Sequence, residues 1–293
     1  MTRVSPRVLA LLFVLTLMWG TNWPLFRIVL DELSPWTFRG IVMVIGAAVL
    51  AAVVKARGES FAVPKGRWPY LIAAATANLA IWNVATSLAV LYIPSGHASV
   101  LAYTMPLWVA LLGFVFFRQL PSRRLLAAVA IGALAVAALM LPNFRTYAEA
   151  PLGLFWGLAA GLSWAVGTLI VKRTSWPGMG LSFTFWQVAL SIPTMIIGAF
   201  LFEPCPVWPS TGTVLITLYI GAVPMALGMA IWFGLVKLLP AQVAALSSIA
   251  VPIVAIVSGM IILHEPLSPL QALAIGSTVF SLWLALVPAK SVG

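Results

Sequence analysis

Charge is what this chain has least of. Asp, Glu, Lys and Arg make up 8% of its 293 residues, against roughly a quarter in soluble domains. Residues 68–117 contain none of the four, while hydrophobic residues reach 62% of the whole. Such a run exceeds the roughly 20 residues that one helix needs to cross a bilayer, so it must fold back once. The turn residues for that reversal are Ile93-Pro94-Ser95-Gly96. The composition is that of an integral membrane protein.

Other absences exclude whole classes of chemistry. Cys205 is the single cysteine, so neither an intrachain disulfide nor a cysteine-based metal site can form. No G-x-x-x-x-G-K-[ST] run is present, which excludes Walker-type nucleotide hydrolysis. The two histidines, His97 and His264, are far apart, and Pro266 directly after His264-Glu265 breaks any helical zincin pattern. An intramembrane protease would need paired mid-span Asp or a Ser/His dyad. No enzymatic role, cofactor or metal is therefore expected. The formal charge of +10 has no basic soluble face to sit on, so nucleic acid is not expected as a partner either. Residues 17–22 offer no small-x-small cleavage site after the basic start, so the first apolar run reads as an uncleaved helix. No carboxylate falls near mid-membrane, where ion-coupled carriers usually keep one. Flow down a substrate gradient is the expectation, with His97 as the alternative coupling group.

What is present are ten apolar runs, at about 8–30, 35–54, 68–91, 96–117, 124–141, 151–171, 180–202, 211–235, 240–263 and 269–288. They are called spans one to ten below. With the N-terminus cytoplasmic, 13 of the 16 Lys and Arg fall on the cytoplasmic side, and only Arg27 and Arg145 fall outside, Arg39 lying within span two. Five of the six acids (Asp31, Glu32, Glu149, Glu203 and Glu265) go outside. Both termini are then cytoplasmic.

The chain also reads as a duplication. At an offset of 146, Pro94 matches Pro240, Ala98 matches Ala244, Pro106 matches Pro252, Gly113 matches Gly259 and Ser122 matches Ser268. At 145, Met18-Trp19-Gly20 matches Ser163-Trp164-Ala165. Dividing at residue 150 gives two halves, 1–150 and 151–293, of five spans each. An odd number of crossings turns the second half upside down. The expected fold is an all-α membrane protein of ten transmembrane helices in two inverted five-helix repeats, an arrangement typical of secondary transporters.

Met18-Trp19-Gly20-Thr21-Asn22 resembles the W-G-x-N signature of EamA-type carriers in the drug/metabolite transporter superfamily. Ser34-Pro35-Trp36-Thr37-Phe38-Arg39 resembles their P-x-x-x-x-R element, and His264-Glu265-Pro266-Leu267-Ser268 their G-E-x-L-[ST] ending. The chain departs from the pattern where His264 replaces Gly and where Arg118-Gln119-Leu120-Pro121-Ser122 lacks the acid. Within the superfamily it looks most like YddG-type exporters of aromatic and other amino acids. The resemblance implies a monomeric, multi-pass exporter of the bacterial inner membrane, with a central cavity for a small-molecule substrate.

Mid-span polar groups must face protein or water, because lipid cannot satisfy them. Trp19, Asn22, Asn78, Trp82, Asn83, Tyr103, Trp164, Trp186 and Ser248 are the candidates for one aromatic and polar chamber. It would suit an apolar ligand with a small zwitterionic head. Interhelical hydrogen bonds and plain packing are the alternative roles for these residues. Met225, Met229 and Trp232 form a further stripe on span eight. Arg39 reads as a snorkelling cation, a contact for a substrate carboxylate, or a partner of Glu265. Pro106 and Pro252 should kink their helices at matched points and act as hinges. Gly153, Gly157 and Gly161 give span six a small-residue face, for packing within the chain or for a dimer.

The orientation is testable through the lone cysteine. Membrane-impermeant thiol reagents should label Cys205 from outside intact cells. Labelling only after permeabilisation would reverse the topology.

Overall fold

The computed structural model describes residues 6–118, 144–204, 208–239 and 250–264, with isolated positions between 126 and 134 and at 269. Most of spans five and ten, the start of span nine, and Cys205, Ser248 and Glu265 fall outside the described residues. Every regular element among the described residues is helical. Seven helices are long and apolar enough to cross a membrane: Pro6–Leu30, Pro35–Ala56, Trp68–Tyr92, Ser95–Phe117, Pro151–Arg173, Leu181–Phe202 and Thr211–Leu238. They are spans one to four and six to eight. The shorter Val251–Leu263 is the described part of span nine.

Six prolines open helical segments, while Pro24 and Pro224 lie inside theirs. Pro35, Pro69, Pro106, Pro151, Pro193 and Pro252 each occupy the first turn of a helical segment, where a missing N–H is harmless and φ is already correct. The expected kink at Pro106 meets an interruption of the helix just before it, and residues 240–249, which would show one at Pro252, fall outside the described residues. Span four is broken outright into Ser95–Ala102 and Met105–Phe117. The Thr104 hydroxyl bridges the break, donating to the Leu101 carbonyl (2.6 Å) and accepting from Trp108 Nε1 (3.1 Å). Val251–Leu263 repeats the second segment: both run for 13 residues with proline second. They end at Arg118 and His264, whose φ values of 49° and 55° are left-handed. Glycine usually fills that capping position.

Spans three and eight share another irregularity. Their α-helices widen into π-helical segments, Thr76–Ile81 and Gly221–Gly228. The two segments begin 145 positions apart, at Thr76 and Gly221.

Spans two and seven pack side by side and antiparallel, and carboxylates pin both ends. Glu203, just past span seven, accepts from the backbone N–H groups of Trp36 (2.6 Å) and Thr37 (2.9 Å) and from the Thr37 hydroxyl (2.7 Å). Glu59, just past span two, accepts from the N–H of Leu181 (2.7 Å). Each acid thus caps the first turn of the other's helix, where free N–H groups and the helix dipole favour a negative charge. A third acid, Glu32, takes the N–H (2.6 Å) and hydroxyl (2.8 Å) of Ser210, the residue that caps span eight. The Ser210 N–H, foremost, and then its hydroxyl hold the Glu32 carboxyl below the usual carboxylate range. This clasp is complete above the free carboxylate value and is lost as pH falls through the lowered one.

Span six lies at the centre. Gly153 faces Ile93 and Tyr92, Gly157 faces Leu101, and Gly161 faces Thr104 and Ala102. Span four of the same chain therefore fills the glycine face, which corrects the alternative of a dimer through it.

Replacing Glu203 by Gln leaves the shape but removes the charge from a helix start. The substitution should cost about 1–2 kcal/mol of stability and lower the melting temperature in detergent. Exposed Glu149→Gln is the control, and equal melting of the two variants would refute the role of the clasp.

Candidate functional site

Spans one, two, three, four, six and eight converge on a central cavity of about 40 Å³. Its walls include Trp19, Trp23, Phe26, Trp82, Tyr103 and Trp164, with Met225 and Met229 on one side. Asn22, Asn83 and Arg39 supply the polar groups. The rings touch in sequence around the wall. Trp82 lies 4.5 Å from Trp164 and 5.8 Å from Tyr103, and Trp19 lies 5.7 Å from Trp164 and 5.5 Å from Trp232. These separations, several of them edge-on, are those at which aromatic quadrupoles attract.

The π-helical segments help to build these walls. A π-segment shifts the backbone hydrogen-bond pattern, and Pro224 has no N–H to contribute. The Pro224 carbonyl accepts Trp19 Nε1 at 3.2 Å. The equivalent carbonyl in span three, Leu79, accepts Asn83 Nδ2 at 2.8 Å. Both donors line the cavity. Gly228 gives the Trp19 indole its room, since a Cβ there would stand 2.6 Å from Nε1.

The structure brings Trp19, Asn22, Trp82, Asn83, Tyr103 and Trp164 together at this cavity. Asn78 does not reach it. It is fully buried against Gly167 of span six, and neither amide atom has a partner among the described residues. Trp186 is a correction. It donates Nε1 to the Phe61 carbonyl (2.8 Å) and packs on Trp68 (5.2 Å), at the connection between spans two and three. The side of span seven that bears it faces that connection instead of the centre. Ser248 and Glu265 fall outside the described residues.

Arg39 is 2% exposed, which overturns snorkelling. Its guanidinium lies over the Phe26 ring, 3.8 Å from the centroid. Nε donates to Ser87 Oγ (2.7 Å) and Nη2 to Thr86 Oγ1 (3.1 Å). Sequence reasoning missed Trp23, Phe26, Ile220 and Pro224 as wall residues. The Trp19–Trp23 spacing of four on one helix face was the available signal for the first.

The EamA-like transporter family matches residues 7–141 and again residues 151–287. Curated relatives include the uncharacterized transporter YvbV of Bacillus subtilis, 27% identical over 89% of this chain and 86% of that protein. The uncharacterized inner membrane transporter YedA of Escherichia coli is 25% identical over 96% and 92%. A protein named probable amino-acid metabolite efflux pump, from Salmonella typhimurium, is 23% identical over 90% and 88%. A solved crystal structure superposes with a TM-score of 0.75 at 21% identity, covering 97% of both chains. The chain belongs to the EamA-like transporter family and is a multi-pass membrane transporter, not an enzyme.

Trp19→Phe keeps an aromatic ring but removes the indole N–H that the Pro224 carbonyl accepts. The variant should lose about 0.5–1.5 kcal/mol of stability, read as a lower melting temperature. Unchanged melting would mean that the indole N–H contributes nothing there.

Proposed function

Starting from that membership, we propose that the chain is a ten-span carrier that exports amino acids, aromatic and other neutral ones, from the bacterial cytoplasm by alternating access. The central aromatic cavity carries this reading, because its walls combine ring faces with a few polar groups and so suit an apolar side chain with a polar head. Asn22 and Asn83 can serve either end of a zwitterion. The probable efflux pump among the relatives points to the same substrate class. A cavity of about 40 Å³ holds only a few waters, so the walls must part to admit an amino acid.

In this proposal residues 1–150 and 151–293 are inverted repeats, with both termini cytoplasmic. Three observations support the inversion. Spans two and seven, equivalent in the two halves, pack antiparallel through Glu203 and Glu59. The π-segments recur at the same repeat position, as do the left-handed helix ends. Trp19 and Trp164, also equivalent, meet at the centre. Among the described residues no carboxylate lines the cavity, and this reading needs no proton or sodium gradient.

Purified protein in liposomes loaded with labelled amino acids tests this. Counterflow should proceed with pH and voltage clamped equal across the membrane. Trp19→Ala, Asn83→Ala and Trp164→Ala should each weaken substrate affinity roughly 5- to 150-fold, as expected for loss of about 1–3 kcal/mol. Full transport by all three at equal abundance would place the substrate elsewhere. Flux that vanishes with the pH gradient, and becomes gradient-independent in His97→Asn, would show proton coupling instead.

A further inference from the structure

Arg39 is a buried cation in search of an anion. A guanidinium removed from water is costly unless an opposite charge compensates it. Its bonds to Ser87 and Thr86 are to neutral hydroxyls, and the Phe26 ring offers only its quadrupole. No carboxylate pairs with it among the described residues. The acids that might have done so have other occupations. Asp31 pairs with Arg27 at 3.6 Å, Glu32 with Ser210, Glu59 with the Leu181 N–H, and Glu203 with Trp36 and Thr37. Glu149 is exposed at the start of span six. Glu265 lies outside the described residues, and the experiment below addresses it directly.

The position of the charge is as telling as its isolation. Arg39 is part of the cavity wall, beside Phe26, Asn83 and Tyr103. The two hydroxyls engage Nε and Nη2 and so fix the plane of the guanidinium. Its remaining amino group, Nη1, donates to neither of these hydroxyls. A fixed, desolvated guanidinium with donors to spare is the usual protein receptor for a planar carboxylate.

We infer that Arg39 binds the carboxylate of the transported solute and makes an anionic head a condition of recognition. The inference rests on the cavity being the substrate site, and it narrows the substrate class. Solutes with a free carboxylate are accepted. Their amides, esters and decarboxylated amines, and cationic drugs, are refused because they leave the buried charge uncompensated. The aromatic walls then choose among carboxylates by their apolar part.

Binding to the purified full-length protein can be followed by its own tryptophan fluorescence, since Trp19, Trp23, Trp82 and Trp164 line the cavity. The probes are L-phenylalanine, 3-phenylpropanoate, L-phenylalaninamide and 2-phenylethylamine. The two carboxylates should bind the wild type at least about 30-fold more tightly than the amide and the amine. Arg39→Gln should remove that preference, Arg39→Lys should keep part of it, and Glu265→Gln should keep all of it. Equal wild-type affinity for L-phenylalanine and its amide overturns the assignment, and this arm needs no variant to fold. A preference that survives in Arg39→Gln, or disappears in Glu265→Gln, overturns it too. Binding of none of the four overturns both this assignment and the amino-acid reading. Carboxylate-selective binding without flux in liposomes sinks the transport proposal alone.

Discussion

Hydrocarbon offers no hydrogen bonds, so a backbone group that a helix releases inside the membrane must find its partner within the protein. This chain departs from the regular helix repeatedly. Spans three and eight widen into π-helical turns, and span four breaks between Ala102 and Met105. At each departure a side chain adds a hydrogen bond to a backbone carbonyl. Asn83 answers the Leu79 carbonyl, Trp19 the Pro224 carbonyl, and Thr104 the Leu101 carbonyl. Asn83 and Trp19 also line the central cavity, so the irregular backbone and the cavity wall are one feature.

The same rule orders the charges. Apart from Arg39, charged side chains gather at the ends of spans, where they serve helix termini. Glu203, Glu59 and Glu32 cap helix starts. Lys172 donates to the carbonyls of Val236 (3.2 Å) and Lys237 (3.3 Å) at the end of span eight, and Lys237 donates to that of Met179 (2.8 Å). Carboxylates therefore hold the beginnings of helices, while Lys172 holds the end of span eight and Lys237 the connection before span seven, at the rims of the bundle. Among the described residues, Arg39 is the one guanidinium in the interior, and it stands at the cavity.

Sequence reasoning reached the seven described crossings and many of the residues that line the cavity because both follow from solvent. Apolar length marks a crossing, and polar or aromatic residues at mid-depth mark a protein-facing surface. Depth does not, however, tell which way a side chain points around its helix. Trp186 and its neighbour Gln187 sit at one depth on different faces, and the Trp186 face turns toward Phe61 and Trp68. Arg39 misled differently. Its place near the start of span two suggested a reach to the headgroups, yet Phe26, Thr86 and Ser87 enclose it from two other spans. The π-segments were not legible. Thr76–Ile81 contains no proline or glycine, and only its tertiary setting distinguishes it from ordinary helix.

Near-symmetry with unequal chemistry has a consequence for the proposed alternation. If the halves are inverted repeats, exchanging their conformations converts each contact into its equivalent. Trp19 to the Pro224 carbonyl would become Trp164 to the Leu79 carbonyl. The first bond joins residues 205 positions apart, and therefore ties the two halves together. In the present conformation the Leu79 carbonyl is held by Asn83 of its own helix, a bond four positions long that survives any movement between halves. A carbonyl can accept twice, so in such an exchanged state Trp164 would reach Leu79 beside Asn83. On that proposal the two carbonyls are not alike: Leu79 keeps a side-chain donor from its own helix, whereas Pro224 receives its side-chain donor from the other half.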